Sequence, residues 1–354
     1  MNFDSRRRVI QQGVANLFPG YFALVMATGI ISIATYLLGM KPVAWVLLAI
    51  NIAAYGVLWL LTLLRLFWYL PRLLADLTDH GRGPGFFTVV TATCVLGSQF
   101  VILRGDLASA RLLWILGIVL WVLVMYSFFT AVTVRESKPS LETGINGAWL
   151  IATVATQSVS ILGTLLASHY PIYREVVLFF TFSMYLLGSM LYLTIITLIF
   201  YRFTFLEVTT ATLTAPYWIN MGAVAITTLA GATLILNAHQ WAFLEELTPF
   251  LKGFTLFFWA TGTWWIPLLF ILGVWRHLYK RFPLVYDPQY WGMVFPLGMY
   301  TASTLQLAKA ADLSFLVFLP RYFVYIALLA WSLTFAALLY RLYCSLIVIP
   351  RHLP

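Results

Sequence analysis

Apolar runs of about 20 residues, separated by short polar breaks, recur along the whole 354-residue chain. A run of that length is what an α-helix needs to cross the hydrocarbon core of a bilayer. Ten such runs are read, at 19–38, 44–69, 85–103, 110–133, 147–167, 174–201, 216–236, 246–275, 290–309 and 318–348. No break exceeds about 15 residues, so no soluble catalytic or nucleotide-binding domain fits between them. The expected organisation is an N-terminal tail at 1–18, one ten-helix transmembrane domain at 19–348, and a C-terminal tail at 349–354. Arg6, Arg7 and Arg8 precede the first run as in a signal peptide, but no short core with a small-residue cleavage site follows. The first run is therefore read as a retained membrane helix.

The runs alternate in character. The odd-numbered ones begin with an aromatic residue followed by small and hydroxyl residues: YFALVMATG, FFTVVTAT, AWLIATVAT, YWINMGAVAITT and YWGMVFPLGMYTAS. Aligned on Phe22, Phe87, Trp149, Trp218 and Trp291, they are spaced by 65, 62, 69 and 73 residues, each the length of a helical hairpin. Each odd run holds two glycines, whereas the five longer even runs hold six in all. Small residues mark tight packing between membrane helices. Packing alone does not place the enrichment on alternate helices with a common start.

Helices two spans apart cross in the same direction, so these repeats are parallel and turn about an axis along the membrane normal. The expectation is an all-α membrane protein of five helical hairpins around a central pore. The odd helices form the inner ring, the even helices face lipid, and threonine, serine, glycine and alanine line the hole.

Composition agrees. Apolar residues make up 62% of the chain and charged ones 9%, against roughly 25% charged in soluble domains. Lys and Arg set the orientation. With the N-terminus in the cytoplasm, 14 fall on the cytoplasmic side and 7 on the other, so both termini are placed inside and the chain in the cell (inner or plasma) membrane. The +9 charge is thus a matter of topology, and no nucleic-acid partner is implied. Cys94 and Cys344 sit in apolar runs and read as small buried hydrophobes. The five histidines show no ligand spacing, so neither metal, cofactor nor enzyme activity is expected.

The segments FPGYFALVMATGI at 18–30, NGAWLIATVATQ at 146–157 and WGMVFPLGMYTAS at 291–303 resemble the tellurite-resistance and dicarboxylate transporter family, over essentially the whole chain. That family includes bacterial TehA, yeast malate and sulfite transporters, and the slow anion channel of plant guard cells. The resemblance implies ten helices, a pore in each subunit, a homotrimer, and a phenylalanine on helix 9 that plugs the pore. Phe295 matches that position, with Pro296 beside it as a helix kink. Unlike many members, helix 5 lacks a proline and helix 3 has only Pro84 before it.

Candidate chemistry follows the inner helices. They contain no Asp or Glu, so nothing there repels an anion. Four residues beyond each aligned aromatic stand Met26, Thr91, Thr153, Gly222 and Phe295, the expected pore level. A lone ring there either packs between helices or closes a narrow path by excluding water. Lys309 and Arg104, at the outer ends of helices 9 and 3, either snorkel or raise anion concentration at an outer vestibule. The reading is a channel or transporter for small inorganic or organic anions, with membrane lipid as its surroundings. A proton-coupled dicarboxylate (malate) carrier and an efflux protein for sulfite or tellurite-type oxyanions are the alternatives. Coupling calls for a buried ionisable relay, which the odd helices lack.

Overall fold

The computed structural model describes residues 11–344. Among them are ten helices of thirteen residues or more. They are α1 Ala23–Leu37, α2 Lys41–Trp68, α3 Phe87–Gln99, α4 Leu107–Val134, α5 Ile151–Leu166, α6 Arg174–Phe205, α7 Ile219–Leu236, α8 Thr248–Val274, α9 Trp291–Ala310 and α10 Phe318–Tyr343. Together with the turns continuous with them, nine are long and apolar enough to cross a membrane. The exception is α9. Its 20 residues suffice, but its tyrosine, threonine, serine, glutamine and glycine content leaves it short of that apolarity. Lipid does not select its composition, because 17 of its 20 residues are buried among other helices.

Each odd helix starts from a 3₁₀ turn: Pro19–Phe22, Gly83–Phe86, Gly147–Leu150, Ala215–Trp218 and Pro288–Tyr290. Four of the five carry proline at the first or second position, where its missing N–H costs nothing and its fixed φ favours the turn. The fifth, at Gly147, is capped instead: Asn146 Oδ1 accepts from the Ala148 N–H at 2.8 Å. The N-terminal segment is not wholly a free tail, since Val14 and Ala15 are buried. Residues 1–10 and 345–354, with Arg6, Arg7, Arg8, Arg351 and the tail at 349–354, lie outside the described residues.

α1, α3, α5, α7 and α9 pack side by side, each on the next, and α9 closes on α1. α2, α4, α6, α8 and α10 each pack against the odd helix before them in sequence. Burial separates the two sets. The spanning windows containing α1, α3, α5 and α7 are 72–94% buried, those containing the even helices 17–50%. Large apolar side chains such as Val46, Phe67, Leu112, Phe179, Phe270 and Leu333 are exposed on the even helices, the surface that lipid suits.

Two recurring bonds tie the layers together. First, every even helix offers an aromatic polar tip to the odd helix that follows it around the ring. Tyr55 bonds the Thr93 hydroxyl at 2.9 Å, Trp121 Nε1 donates to Thr156 at 2.9 Å, and the Tyr192 hydroxyl donates to the Asn220 carbonyl at 3.4 Å. Trp259 Nε1 donates to Thr304 at 3.0 Å, and Trp331 Nε1 donates to Thr28 at 2.9 Å, closing the circle. Such bonds contribute about 0.6 kcal/mol each in a bilayer, so their weight lies in fixing register.

Second, every even helix ends in an arginine that clasps the backbone just before its own odd partner. Arg65 Nη1 donates to Leu17 O at 2.8 Å, Arg135 Nη1 to Thr78 O at 2.9 Å, and Arg202 Nη1 to Ile145 O at 2.9 Å. Arg276 Nε donates to Thr210 O at 2.8 Å, and Arg341 Nη1 to Tyr286 O at 3.2 Å. A cation there also suits the negative end of the helix dipole.

Candidate ion pathway

The five inner helices enclose two cavities along their common axis. The first, about 630 Å³, is lined by the N-terminal halves and starting turns of all five, through residues such as Ala23, Thr88, Ile151, Ile219 and Gly292. The second, about 40 Å³, is lined by the C-terminal halves, through Ile30, Val95, Ile161, Leu229 and Met299 among others. One set of five N-terminal halves at one cavity and five C-terminal halves at the other means that the inner helices run in the same direction. At about 40 Å³ against about 630 Å³, the second cavity is a narrow throat beside the first.

Phe295 and Met26 both line the wide cavity, one turn short of Met299 and Ile30 on the throat. Phe295 is 1% exposed. Pro296 beside it lies against α7 where Gly222 has no side chain: a Cβ on Gly222 would meet Pro296 Cγ at 2.6 Å. Gly222 therefore serves the α7–α9 contact. Thr91 and Thr153 are fully buried but line neither cavity. The Thr91 hydroxyl points back to Phe87 O at 3.5 Å, and the Thr153 hydroxyl has no partner among the described residues. The aligned level thus splits: Met26 and Phe295 meet at the wide cavity, whereas Thr91, Thr153 and Gly222 do not line it. Lys309 and Arg104 are exposed at the C-terminal ends of α9 and of the turn after α3, at the throat end.

The hydroxyl groups are used differently from the expected polar lining. Thr93, Thr156, Thr227, Thr228 and Thr301 donate to carbonyls one turn back at 2.7–2.9 Å. Such back-bonding hides the proton from the axis. The throat wall is left mainly to isoleucine, leucine, valine and methionine, with Ser98, Ser158, Thr233 and Gln306 as polar interruptions.

Charge gathers at the wide end. Arg82 and Arg202 line the wide cavity, and so do Glu142 and Asp287. Arg82 is held by Asp76, Nε to Oδ1 at 2.7 Å and Nη2 to Oδ2 at 3.0 Å, and Arg65 also pairs with Asp76 at 2.7 Å. Asp287 accepts from the Gln289 N–H at 2.8 Å. His80, in the loop before α3, is kept below its usual pKa first by burial and then by Arg135. Arg202 stands in the last turn of the outer helix α6. Its signal lay in spacing: Arg65, Arg135, Arg202, Arg276 and Arg341 are 70, 67, 74 and 65 residues apart, the hairpin period again. Among the described residues no group of three or more His, Cys, Asp or Glu is placed to hold a metal ion. Cys94 and Cys344 are free thiols, the first on the throat wall.

Comparison with known proteins adds the family. The family described as SLAC1, voltage-dependent anion channel, matches residues 16–339. An uncharacterized transporter of Methanocaldococcus jannaschii is 25% identical over 91% of the chain and 92% of its own length. An uncharacterized membrane protein of Mycobacterium tuberculosis is 38% identical over 43% of the chain and 77% of its own length. A sulfite efflux pump of Trichophyton rubrum, SSU1, is 23% identical over 95% of the chain and 94% of its own length.

Proposed function

The chain belongs to the SLAC1, voltage-dependent anion channel family, and from that premise we propose that each subunit passes small anions along the axis of α1, α3, α5, α7 and α9, with Phe295 as the gate. The observation that carries this reading is the closed ring itself. Phe295 lines its wide cavity one turn before Met299 on the throat, the throat is mainly apolar, and the inner helices themselves hold no carboxylate. An apolar constriction stops ions by shedding water, and a bulky ring at its mouth completes the block. The ten helices then act as five hairpins in the membrane. The wide cavity and the five arginine clasps face the cytoplasm, as the Lys and Arg bias asks. Both termini lie inside, and the assembly is a trimer of separately conducting subunits.

The deciding experiment is a reversal potential in a reconstituted bilayer under a salt gradient. It should approach the anion equilibrium value, and a value at the cation limit would remove the reading. Efflux of sulfite or a related oxyanion is the second reading, favoured by the likeness to the Trichophyton pump. Relative permeabilities of sulfite, nitrate and chloride in the same bilayers rank the two.

Lys309 acts through its field at the throat-side mouth. Lys309→Gln should lower anion flux at low salt and matter little at high salt, because mobile ions screen such a charge within about 10 Å at 0.1 M. An equal loss at both salt levels would mean that Lys309 is structural.

A further inference from the structure

Two grooves lie between successive outer helices, each with an arginine clasp on its wall. The one between α2 and α4 holds about 280 Å³, and its arginine, Arg65, is ion-paired with Asp76 at 2.7 Å. The one between α8 and α10 holds about 540 Å³ and is walled by apolar side chains such as Leu269, Met293, Leu329 and Leu333. Its arginine, Arg276, is half-buried and has no ion-pair partner within 4 Å among the described residues. Arg276 Nε donates to Thr210 O at 2.8 Å, and the guanidinium lies over the Phe282 ring at 4.2 Å. Its two Nη atoms have no hydrogen-bond partner among the described residues, and neither is buried.

The groove changes character at that arginine. A cavity of about 370 Å³ shares its walls at Thr214, Arg276, Tyr286 and Tyr290. Trp275 and Tyr279 stand in the same π turn as Arg276, and Trp and Tyr are the rings that favour headgroup depth. From the opposite wall Arg341, in the last turn of α10, donates to Tyr286 O at 3.2 Å. A cation therefore stands at the end of each helix that bounds the groove, and the exposed Lys280 and Arg281 follow Arg276. Asp287, exposed and accepting from the Gln289 N–H, is the only carboxylate lining either space among the described residues. A space that is apolar along its length and cationic at one end fits an amphiphile with a negative head. We propose that the α8–α10 groove binds a phospholipid of net negative headgroup, its acyl chain between the two helices and its phosphate against the Arg276 guanidinium. The groove's volume is that of a small-molecule site, and arginine is the side chain best matched to a phosphate. Basic pockets between membrane helices recognise anionic headgroups in this way. The site is lateral to the ion pathway and rests neither on the gate nor on conduction.

The test is native mass spectrometry of the full-length protein in detergent, titrated with phosphatidylglycerol and with phosphatidylcholine of the same chains. For the tightest-bound lipid, the wild type should prefer phosphatidylglycerol about ten-fold, the worth of one charge-assisted contact. Arg276→Gln should abolish that preference, and Arg276→Lys, which keeps a cation, should retain it. Gly273→Phe should weaken both lipids, because Gly273 lines the groove and a Cβ there meets nothing within 4 Å. If Arg276→Gln does not fold, Gly273→Phe decides. A preference that survives Arg276→Gln, or wild-type binding of both lipids to Gly273→Phe, overturns the site. If the Gly273→Phe assembly also falls apart while its lipid binding is unmoved, the groove belongs to a second copy of the chain.

Discussion

Phe295→Ala should raise anion conductance about ten-fold or more while the protein still purifies as one folded assembly. Ten-fold corresponds to about 1.4 kcal/mol of barrier, a small share of what a dry constriction imposes on an ion. The ring lines the wide cavity, and the next turn of α9 already belongs to the throat. Truncation joins the two spaces. The backbone that carries Phe295 is held independently of its ring, because Pro296 seats against Gly222 and the Tyr300 hydroxyl bonds Thr263 at 2.9 Å. A ring whose role was packing would give the opposite result. Its loss would cost about 3–5 kcal/mol on soluble-core precedent, lower the folded yield and open nothing. Single-channel recordings beside a size-exclusion profile distinguish the two, and a well-folded variant with wild-type conductance defeats the gate.

The hairpin period was legible because it is written in residue types that face constraint on every side. Small residues recur on helices that are buried all round, and the alternation of inner and outer helices follows from it. The direction in which each side chain points was less legible. Alignment on one aromatic fixes height along an axis, but one residue of error turns a side chain by about 100°. At α5 the aligned Trp149 turns outward, its indole donating to His80 O and Gly144 O at 3.0 Å, and the cavity is lined by Ile151 and Val154. At α7 the aligned position is Gly222, which has no side chain to present. Hydroxyl content likewise does not reveal its own use, since a threonine bonded one turn back presents its methyl group as readily as its oxygen. The arginine period was visible in the chain throughout, but counting basic residues for orientation hid that each of these five holds a backbone carbonyl just before an odd helix.

Gly147→Ala should cost more stability than any other glycine-to-alanine change on the inner helices. The reason is what a methyl group would meet. A Cβ at Gly147 runs into the carbonyl oxygen of Pro216, with the Pro216 carbonyl carbon at 2.6 Å and Tyr217 Cα at 2.7 Å. All three are backbone, so no rotamer relieves the clash; the starting turns of α5 and α7 must separate. Three other contacts depend on that approach. Asn146 caps the Gly147 turn, Arg202 holds Ile145, and Ala148 and Pro216 share the wall of the wide cavity. Overpacking against side chains costs about 1–3 kcal/mol, and a rigid backbone neighbour puts this change at or above the top of that range. Gly292→Ala is the matched control. Its added Cβ finds Ile219 Cδ1 at 3.5 Å, an ordinary contact, on the same cavity wall. The thermal midpoint in detergent should fall by several degrees for Gly147→Ala, about the shift that 3 kcal/mol gives a chain of this size, and stay near wild type for Gly292→Ala. Equal midpoints for the two variants would show that the turns of α5 and α7 are not locked together there.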